Sequence, residues 1–143
     1  MCGRYYVDVS NNDLSFLSNY GEIKYEQNFN VAPQTKAPCI IDNNLVVANW
    51  GYFPDWLKKQ SNPRPLFNTR YESLLEKKTF TSAFNNSRCL IPISGWYEWR
   101  EEEGVKQPYF FFSNSQKILF AAGLFWNRSS GDIETSIITR EAV

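Results

Sequence analysis

Cys2 lies directly after the initiator methionine in Met1-Cys2-Gly3-Arg4. Because the Cys2 side chain is small, Met1 could be removed, which would leave an α-amine and a thiol on one residue. Such an amine condenses with an aldehyde to an imine, and the thiol then closes a thiazolidine ring in an intramolecular step whose effective molarity can reach on the order of 10⁵ M. An α-amine titrates near ~7.8 and a lysine near ~10.4, so at pH 7 an aldehyde meets about two orders of magnitude more free amine at Cys2 than at a lysine. The same residues also fit a simpler interpretation, in which Cys2 is a small buried apolar residue that begins a strand.

Histidine is absent from the 143 residues. Its absence excludes imidazole metal ligands and any serine–histidine or cysteine–histidine couple from this sequence. The other cysteines, Cys39 and Cys89, lie in apolar stretches without Cys-x-x-Cys spacing, so we expect buried strand positions and no disulfide. We predict no metal and no cofactor, and chemistry that uses thiol, amine, carboxylate or amide groups.

A carboxylate, Glu98, stands among aromatic residues in Trp96-Tyr97-Glu98-Trp99. On a strand, Trp96 and Glu98 would share one face while Tyr97 and Trp99 share the other. An apolar environment raises a carboxylate's pKa, which suits a general acid or base near neutral pH. The alternative is a glutamate at the edge of a strand that points into water beside core aromatics.

Asn68 and Arg70 are spaced i and i+2 after an apolar stretch. An amide donor beside a guanidinium suits a phosphodiester or a carbonyl oxygen. Alternatively, Asn68 caps the helix that we expect to begin here, and Arg70 pairs with a nearby acid.

A loop with aromatic and basic residues surrounds Gly51 and Pro54. Trp56, Leu57 and Lys58 lie in it, and such a mixture can stack on nucleobases while its cations follow a phosphate backbone. From this stretch alone, core aromatics with solvated lysines are the favoured interpretation.

Composition indicates one globular domain over residues 1–143, because 43% of residues are hydrophobic, 17% are aromatic and the formal net charge is zero. Zero net charge argues against a protein coated in positive charge for long duplex DNA but allows a local basic groove. The longest apolar run, residues 118–126, is too short to span a bilayer. The N-terminus has no signal-sequence pattern. We therefore expect a location in the cytoplasm or nucleoid.

Residue patterns predict an α+β fold with a mainly antiparallel, curved, barrel-like sheet and short helices. A helix capped by Asn11 or Asn12 and a second helix over residues 79–84 are expected, with a buried strand over residues 118–126. The stretches 28–33 and 50–59 are predicted loops. The other predicted strands cover residues 4–9, 38–42, 45–52, 88–92, 94–100, 108–112 and 134–139.

The ordered set of motifs along the chain resembles the SOS response-associated peptidase (SRAP) family, the abasic-site shielding proteins. The matching stretches are Met1-Cys2-Gly3-Arg4, Asn30-Val31-Ala32-Pro33, Trp50-Gly51-Tyr52-Phe53-Pro54-Asp55-Trp56, Asn68-Thr69-Arg70-Tyr71-Glu72, Arg88-Cys89-Leu90-Ile91-Pro92, Gly95-Trp96-Tyr97-Glu98-Trp99, Lys106-Gln107-Pro108-Tyr109, Ala122-Gly123-Leu124 and Ile137-Ile138-Thr139.

The resemblance implies that Cys2, after loss of Met1, forms a thiazolidine with the ring-opened sugar of an abasic site in single-stranded DNA. It implies further that Asn68 holds the site and that Glu98 serves in acid/base steps and in reversal of the crosslink. The partner would be single-stranded DNA with abasic sites, bound by a monomer without metal or membrane. The residues implied in DNA binding are Arg4 and Arg70 on phosphates, Pro33 and the Trp56-Leu57 corner on bases, and Thr139 as a further site residue.

Two features depart from the family pattern. Relatives often carry an aromatic residue at the position of Leu57, so base stacking is expected to be weaker here. Relatives also carry a catalytic histidine downstream of the strand that ends at Thr139, and we expect the C-terminal part of the family domain to be missing from this chain. Aldehyde capture should survive, whereas sugar ring opening or crosslink release should be slower.

Two other functions remain open at this stage. One is a thiol peptidase or autopeptidase, a hydrolase with Cys2 as nucleophile and its own α-amine as base. The other is a binding module in which the aromatic and basic loop grips single strands without chemistry.

Overall fold

A computed structural model of the chain describes residues 2–10 and 12–142. The predicted loss of Met1 and the possible cap at Asn11 therefore fall outside the described residues. Two α-helices are described, α1 (Asp55–Lys58) and α2 (Lys78–Asn86), with 3₁₀ segments at Asn12–Tyr20 and Tyr71–Ser73. The strands are β1 (Arg4–Val7), β2 (Asn28–Val31), β3 (Lys36–Ile41), β4 (Asn44–Trp50), β5 (Asn68–Arg70), β6 (Arg88–Ile93), β7 (Gly95–Glu102), β8 (Val105–Phe111), β9 (Leu119–Asn127) and β10 (Ile133–Thr139).

Strands β4, β3, β6, β9 and β10 are neighbours in that order, and β10 pairs again with β4. This last pairing is parallel, with Glu134 opposite Asn49 and Thr135 opposite Trp50, and it closes the sheet into a five-stranded barrel. The other pairings in the ring are antiparallel. The predicted mainly antiparallel, barrel-like sheet with short helices is thus confirmed.

A second sheet of four strands, in the order β2-β1-β7-β8, packs on the barrel. It contributes Tyr5 and Val7 to the main core cluster, where the Tyr5 ring meets the Trp50 ring edge-on at 4.9 Å. Cys39 and Cys89 lie in the same core as free thiols, as predicted. A hydrogen bond to Cys39, together with burial, raises the pKa of Cys89, so this residue stays protonated.

Two predictions about local structure are wrong because remote pairing overrides the local pattern. Residues 28–33, a predicted loop, contain β2, since Tyr5 pairs with Val31. Residues 68–70, the expected start of a helix, form β5, which pairs in parallel with the end of β10. In the predicted loop 50–59, Pro54 begins the four-residue helix α1. The predicted helix over residues 79–84 is confirmed as α2.

Strand β9 was expected to be buried on both faces, and only part of it is. Leu124 is fully buried because Phe80 and Ala83 of α2 and Leu74 cover the barrel there. Nearer the start of the strand, Phe120 is 40% exposed. No helix of the described residues is long and apolar enough to cross a bilayer.

Candidate functional site

Cys2 lies just before β1, half-buried against the main core cluster. Its thiol donates a weak hydrogen bond to the carbonyl oxygen of Arg4 at 3.7 Å. The short β1 fixes this position, because Tyr5 and Val7 are buried on one side while Arg4 and Tyr6 alternate with them. Cys2 is therefore partly buried, as in the simpler interpretation of a small apolar residue, and it lies next to the start of β1.

Asn68 contacts Cys2 directly. Its amide nitrogen Nδ2 donates to the Cys2 carbonyl oxygen at 2.7 Å, across 66 positions of sequence. The carbonyl oxygen of Phe67, just before β5, accepts from the Ile137 amide and from Trp50 Nε1, each at 2.9 Å. Asn68 does not cap a helix, because Arg70 stands at the N-cap of the following 3₁₀ segment without a side-chain cap.

Two buried polar atoms at this site have no hydrogen-bond partner among the described residues, Asn68 Oδ1 and Thr139 Oγ1. Asn68 pairs with Ile137 and Arg70 with Thr139, and paired residues point to the same side of a sheet. Buried polar groups are normally hydrogen-bonded. The amide oxygen can accept from an N–H or O–H group, and the hydroxyl can donate or accept.

Glu98 reaches the same site from β7. This strand pairs with β1, with Arg4 opposite Tyr97 and Tyr5 opposite Trp96, so the half-buried Glu98 falls near the residues that precede β1. The predicted alternation holds, since Tyr97 and Trp99 form a ring contact on the opposite face. Glu98 is thus a neighbour of Cys2.

Burial raises the pKa of the Cys2 thiol from 9.0 to about 11, and the charge of Glu98 adds to the increase. A hydrogen bond with the Arg4 backbone acts in the opposite direction. At pH 7 a thiol with this pKa is ionised in roughly one molecule in 10⁴. Cys2 is therefore a neutral thiol beside a carboxylate that can accept its proton.

The two arginines named from sequence flank this cluster. Arg4 Nη1 donates to Asn30 Oδ1 at 3.1 Å. Arg70 is exposed at the end of β5, and with Thr139 and Arg140 it lines a cavity of about 170 Å³.

The residues predicted to stack on bases lie on two separate parts of the chain, Pro33 just after β2 and Trp56 and Leu57 on α1. Pro33 follows β2, in a turn closed by a hydrogen bond from the Thr35 amide to the Ala32 carbonyl at 3.2 Å. Trp56 on α1 is 53% exposed, but Leu57 is only 6% exposed. The Leu57 side chain therefore anchors α1 to the protein, and its contact with a base stays a prediction.

Helix α1 is held at the end of β10 that lies far from Thr139. Asp55 Oδ1 accepts from Arg128 Nη2 at 3.0 Å, and Glu134 Oε2 accepts from the Phe53 amide at 3.1 Å. The structure thus brings Asn68 and Glu98 to Cys2, and it places Thr139 on the strand that pairs with β5. Trp56 lies on a helix that is held at the opposite end of that strand.

Sequence reasoning missed two supporting residues, Asn30 and Arg128. Asn30 lies within a family-like stretch but received no role, because the sequence predicted a loop there and not the strand that brings it to Arg4. Arg128 carries no local signal, since its partner Asp55 is 73 positions away. Among the described residues, no group of three or more histidine, cysteine, aspartate or glutamate side chains could hold a metal ion.

Known proteins resemble this chain in sequence and in fold. A sequence model described as SOS response associated peptidase (SRAP) matches residues 1–143. The abasic site processing protein YoqW of Bacillus subtilis (strain 168) is 30% identical over 143 residues, which covers 92% of this chain and 64% of YoqW. The abasic site processing protein YedK of Escherichia coli (strain K12) is 32% identical over 134 residues, which covers 85% of this chain and 59% of YedK. The chain therefore spans less than two thirds of the length of these relatives.

A crystal structure of a protein from Bacteroides thetaiotaomicron has the same fold, with a TM-score of 0.79 at 23% identity. The superposition covers 98% of this chain and 68% of that protein.

Proposed function

Because this chain belongs to the SOS response associated peptidase (SRAP) family, we propose that it captures abasic sites in single-stranded DNA. The capture is a covalent crosslink through Cys2 after removal of Met1. The observation that carries the proposal is the 2.7 Å hydrogen bond from Asn68 to the Cys2 carbonyl, which holds the N-terminal residue beside Glu98. Relatives named abasic site processing proteins support a role in handling abasic sites.

The proposed reaction is a condensation. The free amine of Cys2 attacks the aldehyde carbon of the ring-opened sugar, and the resulting carbinolamine loses water to give an imine. The thiol sulfur then bonds to the imine carbon, and its proton passes to the nitrogen, which completes the thiazolidine. Water is the only leaving group, and no oxidant or reductant is needed.

Glu98 carries the proton transfers in this scheme. With a thiol pKa of about 11, ring closure needs a base at the sulfur, and the carboxylate of Glu98 is the neighbouring group that can serve. Met1 removal would place the ammonium or amine on Cys2 itself, and a positive charge that close lowers a thiol's pKa. The same carboxylate, once protonated, can return the proton when the crosslink reverses.

Asn68 and Thr139 would orient the sugar. Asn68 holds Cys2 with its nitrogen, while its buried oxygen Oδ1 and the hydroxyl of Thr139 have no partner in the described residues. The hydroxyl groups of an opened sugar, and the Cys2 amine, are donors that can pair with Asn68 Oδ1.

The strand would lie across the two arginines. Arg4 and Arg70 stand on either side of the Cys2 cluster and suit the phosphates next to the lesion. Pro33 and Trp56 would contact bases farther along, with Leu57 in a supporting place behind Trp56. We further propose that residues 1–143 act as one domain of a monomer in the cytoplasm or nucleoid.

A peptidase activity fits the site less well. A cysteine nucleophile works as its thiolate, and reactive cysteines have lowered pKa values, whereas burial and Glu98 raise the pKa of Cys2.

The test is the intact mass of the purified protein before and after incubation with an abasic oligonucleotide. We expect a mature chain without Met1 and an adduct equal to protein plus oligonucleotide minus one water. The Cys2→Ser variant keeps the amine, so it should give an adduct only when borohydride traps the imine. Cys39→Ala, which removes a buried thiol, should form the adduct as the wild type does.

A wild-type chain that retains Met1, or that gains no mass with the abasic strand, would overturn the proposal. Equal binding of intact and abasic strands without an adduct would favour a binding module. Turnover of a peptide in trans that Cys2→Ala abolishes would favour a peptidase.

A further inference from the structure

The outer surface of the four-stranded sheet, on the side away from the barrel, carries a continuous set of aromatic side chains. On the inner side, Tyr5, Val31 and Trp96 face the core, so Tyr6 and Tyr97, which follow Tyr5 and Trp96, point outward. Phe29 reaches the outer side where the register between β1 and β2 shifts, and its ring stacks there on Tyr6. Four of the outward rings are between 43% and 59% exposed. This aromatic face consists of Tyr6, Phe29, Tyr97, Trp99, Phe110 and Phe112.

The rings of the aromatic face contact one another across all four strands of the sheet. Tyr6 stacks on Phe29 at 4.8 Å with planes 8° apart, and Phe110 lies 6.5 Å from Tyr6. Phe110 also contacts Tyr97 at 4.9 Å and Phe112 at 5.6 Å. Exposed apolar patches of this kind mark interaction sites.

The backbone makes room for this arrangement. Gly95 lies beneath Phe110, and a Cβ there would come within 2.4 Å of the Phe110 ring. The Tyr97 hydroxyl reaches across β1 and donates to the Phe29 carbonyl oxygen at 2.9 Å. Gly95 of β7 therefore leaves space for the Phe110 ring, and the Tyr97 hydrogen bond connects β7 to β2. Together they fix the shape of the aromatic face.

We propose that the aromatic face stacks the unpaired bases of a single-stranded nucleic acid whose backbone continues from the Cys2 site, an inference that rests on the proposed function. Arg4 joins the two places, because it follows Cys2 by two positions and shares the outward side with Tyr6. Its hydrogen-bond partner, Asn30, is neutral. Because this partner carries no charge, the positive charge of the Arg4 guanidinium can attract a phosphate at the edge of the aromatic face.

The spacing of the rings suits an extended strand. Along Tyr6, Phe110 and Phe112 the centroids are 6.5 and 5.6 Å apart, which is more than the about 3.4 Å rise per base of a duplex strand. Bases that are unstacked from one another can each meet one ring. Every base has a π-face, so the face would bind without sequence preference.

The experiment compares the wild type with a Phe110→Ala/Phe112→Ala double variant in fluorescence anisotropy with an intact oligothymidine. One lost base–ring contact should weaken binding about 5- to 150-fold. With an abasic oligonucleotide, the concentration for half-maximal adduct formation should rise by the same factor. A strand built of tetrahydrofuran spacers has no bases, so the wild type and the variant should bind it equally.

The matched control is Phe120→Ala, which removes a ring of similar exposure on β9 that contacts Phe16 instead. This variant should bind as the wild type does. A second variant, Phe110→Leu, keeps an apolar side chain and removes the π-face, and should also weaken binding. Circular dichroism of each variant verifies that it is folded.

Unchanged affinity of the folded double variant or of Phe110→Leu for oligothymidine overturns the inference. So does a wild-type dimer that the double variant converts to a monomer with unchanged DNA affinity, because the face then covers a second copy. If base-dependent binding is lost in the variants while the wild type never forms an adduct, the aromatic face stands and the proposed function fails.

Discussion

The Cys2 thiol is kept protonated by two different causes, burial and the charge of Glu98. Burial comes from the core beneath β1, whereas the charge comes from one removable carboxylate on β7. The two causes can therefore be separated by substitution at Glu98. A neutral thiol is also less prone to oxidation than a thiolate.

We predict that Glu98→Gln changes two reactions of Cys2 in opposite directions. A nearby carboxylate raises a thiol's pKa, so its removal lowers the pKa below about 11. Iodoacetamide alkylation of Cys2 at pH 8 should then be several-fold faster, and the two proteins should converge above pH 11. Adduct formation with an abasic strand should be roughly 10²-fold slower, the usual scale for loss of a general base.

The control for that experiment is Glu101→Gln, an exposed carboxylate on the same strand. Alkylation mapped to Cys2 by peptide mass should match the wild type in the control. If Glu98→Gln leaves both rates unchanged, Glu98 does not serve the thiol.

At the residue scale, the sequence indicates candidate residues for chemistry but does not indicate which residues they contact. Residue types alone single out Cys2 and the aromatic setting of Glu98. The partner of Asn68 is 66 positions away, and no local pattern records such a contact. Leu57 lies on one turn of helix, not in the predicted loop, and this turn carries its side chain inward.

Among the elements, α1 depends strongly on contacts with the rest of the protein. It comprises four residues, Asp55–Lys58, far fewer than an isolated helix needs. Its attachment depends on Leu57 in the core and on Arg128, which contacts Asp55 at 3.0 Å and Glu134 at 3.8 Å. Trp56 is therefore positioned by a residue at the turn between β9 and β10.

We predict that Arg128→Gln loosens α1. The hydrogen bond from Arg128 is the largest of the effects that lower the pKa of Asp55. The pKa of Asp55 should therefore rise when Arg128 is replaced. Amide hydrogen exchange at Leu57 and Lys58 should be roughly two- to fivefold faster, as expected for loss of a solvent-exposed ion pair. Exchange in the barrel strands should not change.

Lys58→Gln is the matched control, because Lys58 contacts the same carboxylate at 3.5 Å from within the helix. A pair of this exposed, i,i+3 kind contributes little, so its exchange rates should match those of the wild type. Equal protection of α1 in Arg128→Gln and the wild type would show that Leu57 alone anchors the helix.

The hairpins, whose two strands are close in sequence, were predicted well. The β3–β4 hairpin has a two-residue turn at Asp42 and Asn43, both with positive φ, which Asn and Asp favour. The β7–β8 hairpin follows from Glu103-Gly104. Strands β2 and β5 are short and pair only with remote strands, so local patterns could not distinguish them from loop or helix.

For the whole molecule, closure of the barrel decides where the site lies. The parallel pairing of β10 with β4 fixes one end of β10, and the pairing with β5 at its other end brings Asn68 beneath Cys2. The curvature of the sheet was predictable from many short strands with turn signals. The closing pair was not, because it joins strands more than 80 positions apart.

Close packing inside the closed barrel leads to the last prediction. Gly123 in β9 lies between β6 and β10, opposite Cys89 and Ile137. A Cβ at Gly123 would stand 2.9 Å from Cys89 Sγ and from Ile91 Cδ1, and 3.2 Å from the Ser136 carbonyl oxygen. These neighbours are buried, so they cannot move aside into solvent.

We therefore predict that Gly123→Ala destabilises the protein. Overpacking costs about 1–3 kcal/mol, whereas the smaller unfolded-state entropy of alanine returns about 0.4–1 kcal/mol, so the steric term wins. Urea denaturation should show a lower midpoint at an unchanged slope. Gly3→Ala is the control, because nothing lies within 4 Å of a Cβ there, and it should stay within about 0.5 kcal/mol of the wild type. If both variants unfold at the wild-type midpoint, the interior at Gly123 can accommodate a methyl group, and closure of the barrel does not depend on a glycine at this position.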